Sequence, residues 1–275
     1  MSFLTEPFAY EFMQQAFLIT ALIAAAAGVL SCLLVLKGWS LMGDAIAHAV
    51  LPGIVIAYLI GIPLVLGAFA AGMVCAGATG FLTEHSRVKA DTVMGVVFSG
   101  MFGLGIVMYT AIQTDVHLDH ILFGDMLGVT WGDVWETGLI AAITLIVVLA
   151  RRRDLLLFAF DPQHARAVGL PTRWLHYGLL AIISLVVVGA LKAVGLILAI
   201  AFLIGPGAVA HLLTDRFDHM LAISVLTAVI SSVLGIMLSF HIGSAPAPSI
   251  VVILTGMFVA VFLFAPKYGI LLRRT

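Results

Sequence analysis

Apolar runs of about twenty residues recur along nearly the whole chain, separated by short polar breaks, and no other feature constrains the fold as strongly. In lipid only helices and closed barrels satisfy their own backbone, and runs of this length suit helices, not the shorter strands of a barrel. The expected fold is all-α: a polytopic integral membrane protein, one transmembrane domain over residues 1–275. It has about nine spans, near 16–36, 41–60, 63–82, 92–112, 133–150, 174–190, 193–212, 219–240 and 248–266. Charged residues make up 10% of the chain and mean hydropathy is +1.20, where soluble proteins carry about 25% charged residues. The N-terminal stretch lacks a basic region and holds Glu6 and Glu11, so the first span is expected to remain as a span.

Basic residues set the orientation. With the N-terminus outside, Lys37, Arg87, Lys89, Arg151 to Arg153, Arg166, Arg173, Arg216 and the tail's Lys267, Arg273 and Arg274 all face the cytoplasm, and Lys192 alone is outside. An odd number of spans then puts the C-terminus inside. The outer break between spans four and five carries Asp115, His117, Asp119, His120 and Asp125 with no lysine or arginine. Such a loop either raises the local cation concentration at an entrance or is an ordinary solvated loop.

Two ionisable residues stand inside an apolar run at Gly38–Gly53, GWSLMGDAIAHAVLPG. Asp44 and His48 are four apart, so a helix projects both from one face. An ionisable side chain in a membrane span costs a few kcal/mol on insertion scales and marks an ion or substrate pathway by default. A carboxylate oxygen and an imidazole nitrogen form half of a divalent-metal site. The alternatives are that Asp44 caps the helix after the Lys37-Gly38-Trp39 break, that His48 hydrogen-bonds a neighbouring helix, or that Asp44 carries a proton.

Elsewhere the pattern speaks of packing and motion. Ala68, Gly72, Ala76 and Gly80 form a small-residue stripe on span three, and Gly95, Ser99 and Gly103 another on span four. Gly205-Pro206-Gly207 in mid-span removes a backbone donor and is expected to break the helix, as a hinge or a pathway lining. The cytoplasmic loop at about 151–173 contains a short helix opened by Asp161-Pro162, running past Ala165 and stopped at Gly169, before Leu170. Such a helix either docks a soluble partner or is a turn in a free loop. Cys32 and Cys75 lie in apolar spans and make neither a disulfide framework nor a thiolate site.

The chain lacks a phosphate-binding G-x-x-x-x-G-K-[ST] loop, an H-E-x-x-H and a G-x-S-x-G, and its net charge of −1 gives no basic face for nucleic acid. Transport is the class that remains, with any ATP hydrolysis in another subunit.

Residues 38 to 53, DTVMGVVFSGMFGLG from Asp91, DPQHARAVGL from Asp161 and AVGLILAIAFLIGPGAVA from Ala193 together resemble the membrane permease of the zinc/manganese/iron family of ABC importers. HILFGDMLGV from His120 is more similar to the manganese and iron branch. The resemblance implies a bacterial inner-membrane permease paired with an identical or sister chain, two cytoplasmic ATP-binding subunits, and an extracytoplasmic metal-binding protein that delivers the ion. It implies that Asp44 and His48 hold Mn²⁺, Fe²⁺ or Zn²⁺ transiently, with no tightly bound cofactor, and that Asp161 to Leu170 couples to the ATPase. Two chains would offer two carboxylates and two imidazoles, a set that suits these ions and not Cu⁺. The rival is an ion-coupled secondary metal transporter in which Asp44 carries a proton, which would call for inverted repeats that the sequence does not display.

Overall fold

The computed structural model describes residues 6–112, 124–265 and 269–271. Asp115, His117, Asp119 and His120, the residues expected to attract cations outside, fall outside the described residues.

After a 3-10 turn at Glu6–Ala9 the chain forms α1 (Glu11–Lys37), α2 (Ser40–Ile60), α3 (Leu64–His85), α4 (Ala90–Ala111), α5 (Trp131–Ala150), α6 (Arg152–Phe160), α7 (Pro162–Ala167), α8 (Thr172–Leu213), α9 (Phe217–Ile242) and α10 (Pro246–Phe264). Among the described residues eight of these are long and apolar enough to cross a membrane. Gly38 and Gly61, both left-handed, end α1 and α2. Thr130 and Asp133 cap each other reciprocally at the start of α5. Pro246 and Pro248 lie in the first turn of α10, where a missing amide costs nothing.

Spans six and seven of the sequence reading are one 42-residue helical stretch, α8, interrupted at Gly195 (φ 76°, ψ 175°). A straight helix of that length would be about twice as long as the hydrocarbon layer is thick. The contacts show that the stretch folds back. His176 packs edge-on against Trp39, with ring centroids 5.2 Å apart, while Leu203 lies against Gly43, one turn further along the same helix. Between them Lys192 pairs with Asp133 at the start of α5. Gly195 therefore makes the reversal: its backbone conformation is one that side-chain-bearing residues avoid, and Gly124 packs so closely against it that a Cβ there would strike its amide.

The break expected at Gly205-Pro206-Gly207 is not there; the helix runs through it. The reason is a hydroxyl from another helix. Ser31 of α1 donates to the Ile204 carbonyl (3.1 Å) and accepts from the Gly207 amide (2.8 Å), so the disturbed ladder around Pro206 keeps its partners.

The core gathers around α1, which is apolar on all sides and has 72% of its best apolar window buried, against 17% for α4. Its Gly28 approaches Val225 of α9 so closely that Ser224 donates to the Gly28 carbonyl at 2.7 Å. The second half of α8 closes the other side of α1. The stripe on α3 packs as expected, with Gly72 facing Ile46 and Ser184. Among the described residues Gly95 and Gly103 of the α4 stripe meet nothing, and Gly105, off that line, packs on Leu51 and Pro52.

Candidate functional site

α2 begins at Ser40, which places Asp44 in its second turn and His48 one turn above, facing α4. His48 Nδ1 lies 3.1 Å from Asp44 Oδ1 and 3.1 Å from the Asp44 carbonyl oxygen. Two acceptors at Nδ1 fix the tautomer of a neutral ring: Nδ1 carries the hydrogen and donates it, and Nε2 keeps its lone pair. A carboxylate that holds a histidine in this way is the arrangement that orients metal-ligating imidazoles. Nε2 then points away from the Asp44 carboxylate, so a single ion meets both side chains only when the hydrogen bond between them opens. The pair is not a helix cap, because Trp39 holds the cap position and the side chain of Asp44 faces His48.

The surroundings are apolar above and closed below. Phe98 and Phe102 of α4 stand at 5.6 and 5.2 Å from the imidazole, the second edge-on. Ala45, Ile46, Ala47, Ala49 and Val50 are all buried around the pair, whereas Asp44 and His48 keep about a quarter of their side chains exposed. Both therefore open out of the chain. Among the described residues no group of three or more histidine, cysteine, aspartate or glutamate side chains converges.

The Lys37-Gly38-Trp39 break is packed within the protein, not free at the cytoplasmic surface. The Lys37 ammonium donates to the Phe158 carbonyl of α6 (3.2 Å) and sits 3.7 Å above the Phe158 ring and 4.8 Å from that of Trp39. His176 of α8 closes the group against Trp39 and Phe158. A cavity of about 190 Å³ next to this floor is lined by Trp39, Met42, Thr79, Thr83, Met94 and His176.

Neighbouring helices fix the height of α2. A Cβ on Gly53 would strike the Gly67 carbonyl and approach Ala71 Cβ to 2.6 Å, so α2 and α3 touch backbone to backbone there. Gly43 leaves room for Leu203. Pro52 removes the amide that would bond the His48 carbonyl, an effect that the sequence reading passed over although the i, i+4 spacing displays it.

The short helix α7 has the bounds expected of it. Asp161 caps α7 by accepting from the Gln163 and His164 amides at 3.0 and 2.8 Å, and Pro162 fills the first position. Ala165 is buried against the bundle, Gly169 turns with φ 84°, and the Leu170 amide returns to the Ala165 carbonyl. Around it Phe160, Val168 and Trp174 are 65%, 55% and 82% exposed, an apolar patch that the sequence reading did not single out. Of the Gly205-Pro206-Gly207 run, Gly207 packs on Ser31 of α1 and Gly205 faces Leu254 of α10.

The model of the ABC 3 transport family matches residues 9–265. The chain is 54% identical to the chelated iron transport system membrane protein YfeD of Yersinia pestis, over 96% of this chain and 89% of that protein. It is 50% identical to the manganese transport system membrane protein MntB of Synechocystis sp., over 98% of this chain and 88% of that one. Among solved structures it is similar to PsaBC from Streptococcus pneumoniae in complex with Fab, with a TM-score of 0.88, 33% identity, and coverage of 97% of this chain and 96% of that chain.

Proposed function

The chain belongs to the ABC 3 transport family, and from that premise we propose that it is the permease of an ATP-driven importer that carries Mn²⁺ or iron into the cytoplasm, with Asp44 and His48 as its transient ligands. The observation that carries the site is the half-shell: an oriented histidine and a carboxylate on one face of α2, opening outward, with no third ligand among the described residues. A second permease, identical or a sister chain, completes it with a like pair. Two carboxylates and two imidazoles make a hard-to-borderline set, and a modest one, which favours release as well as capture. The Irving–Williams order would have this set bind Zn²⁺ more tightly than Mn²⁺, so selectivity rests largely with an extracytoplasmic metal-binding protein that presents the ion.

Nine crossings follow if the two halves of α8 count separately, with the N-terminus outside and the C-terminus inside the bacterial cytoplasmic membrane. Two ATP-binding subunits dock at α7, where Phe160, Val168 and Trp174 offer apolar surface. The motion reaches the metal through a short relay. α7 packs on α6, the Phe158 carbonyl and ring of α6 hold Lys37, and Lys37 leads through Gly38 and Trp39 into the turn that carries Asp44. A displaced coupling helix thus shifts the start of α2 and changes the distance between the paired ligands. The cavity beside Met42 and Met94 offers the ion a way inward.

ATP-dependent uptake of radioactive Mn²⁺ and Fe²⁺ into proteoliposomes holding the permease and its ATPase tests the reading. Asp44→Asn and His48→Ala are expected to abolish uptake while the complex still assembles. Normal uptake in both variants would contradict it.

A further inference from the structure

At the cytoplasmic ends of the bundle, the start of α6 and the start of α9 enclose a cavity of about 350 Å³ lined by Arg152, Arg153, Leu156, Arg216, Phe217 and Asp218. Three guanidinium groups from two loops far apart in sequence converge on it, against one carboxylate. That carboxylate is already engaged, since Arg152 pairs with Asp218 at 3.2 Å. Arg153 and Arg216, the other two, are both exposed. Two cations held next to each other repel, and an anion between them relieves that repulsion.

We propose that this cavity binds the phosphate of an anionic phospholipid of the cytoplasmic leaflet. Guanidinium groups suit a phosphodiester, because their planar donors match two of its oxygens at once. The first-turn amides of α9 open on the same cavity without a side-chain cap, and they add donors that favour a negative charge. Inorganic phosphate shares this chemistry, but the apolar surroundings single out a lipid. Leu156 and Phe217 form part of the wall. Asp218 heads an outward-facing line on α9 that continues every fourth residue through Ala222, Leu226 and Ile230, the last two 58% and 45% exposed. A headgroup in the cavity lays its acyl chains along that line. Basic pockets between transmembrane helices on the cytoplasmic side are where headgroups of this class bind. The coupling helix α7, with Phe160 and Val168, presents a separate surface for the soluble partner.

The test uses the permease–ATPase complex in mild detergent, with phosphatidylglycerol, phosphatidylethanolamine or glycerol 3-phosphate added and bound molecules counted by native mass spectrometry. Wild type is expected to retain one phosphatidylglycerol per permease chain in preference to phosphatidylethanolamine, and millimolar glycerol 3-phosphate should not displace it. Each of Arg153→Gln and Arg216→Gln is expected to weaken retention about fivefold, and Arg173→Gln, outside the cavity, to leave it unchanged. If the double variant is not recovered, either single variant decides. Undiminished retention in the variants, equal displacement by the soluble phosphate, or lipid bound only when the ATPase is absent would each overturn the proposal. Asp44→Asn, which loses transport, should keep the lipid, so the two readings fail separately.

Discussion

Replacing Ser31 with alanine removes one hydroxyl and should lower stability by an amount that the structure bounds. The side chain is fully buried, so no water replaces it. Its loss leaves the Ile204 carbonyl and the Gly207 amide without the partner that each has beside Pro206. Hydrogen bonds between membrane helices average about 0.6 kcal/mol, and a buried group left unsatisfied costs about 1–3 kcal/mol. Two bonds at the membrane average give a lower figure of about 1 kcal/mol, and an orphaned amide gives an upper one of about 3. At roughly 2–4 °C per kcal/mol for a chain of this size, the unfolding midpoint should fall by about 2–12 °C. The protein carries its own reporter. Cys32 and Cys75 are its only cysteines and both are fully buried, so a fluorogenic thiol reagent reads unfolding directly. Gly207→Ala should cost at least as much, since its Cβ would sit 2.5 Å from the Ser31 carbonyl oxygen, a backbone atom that cannot swing aside. A midpoint unchanged within a degree in Ser31→Ala would refute the claim that this hydroxyl keeps the helix whole through Pro206.

Three further outcomes are expected. Gly53→Ala should destabilise by about 1–3 kcal/mol in the same thiol assay and reduce metal uptake with it, because the contact with Gly67 that it spoils sets the height of α2. At the start of α5 Asp133→Asn should lower the midpoint more than Lys192→Met: Asp133 serves both the cap with Thr130 and the ion pair, whereas an exposed lysine adds about 0–1 kcal/mol, and high salt should erase the lysine's share alone. Asp161→Ala removes both hydrogen bonds that start α7, costs about 0.5–2 kcal/mol as a lost cap, and should cut ATP-dependent uptake by more than that small fall in midpoint explains, a split readable by transport and thermal assays on one preparation.

What was legible in the sequence was what depends on neighbours in sequence. Asp44 and His48 stand out because an apolar run has no other use for charge, and the i, i+4 spacing alone places them on one face. The ends of α2 and the start and stop of α7 are written in Gly38, Gly61, Asp161-Pro162 and Gly169, each a local backbone requirement. What was not legible depends on distant partners. Pro206 reads as a breaker until Ser31, from the first helix, supplies the hydroxyl that spares it. The reversal between spans six and seven was legible from Lys192, within three residues of its place, but that the turn falls at Gly195 was not, because Gly195 sits among helix formers and its close neighbour is the distant Gly124. Phe98 and Phe102 could not be told from the other phenylalanines, since what distinguishes them is the imidazole that they face. The glycine line of α4 suggested packing, and among the described residues Gly95 and Gly103 meet nothing.

The central claim is that one ion is held between two chains by Asp44 and His48 of each. Titrating the assembled transporter, its permease pair in lipid nanodiscs, with Mn²⁺ and recording electron paramagnetic resonance with nitrogen modulation tests this most directly. The account predicts one Mn²⁺ per two permease chains, with imidazole nitrogen coupling that disappears in His48→Ala. One ion per single chain, or nitrogen coupling that survives that substitution, would contradict it.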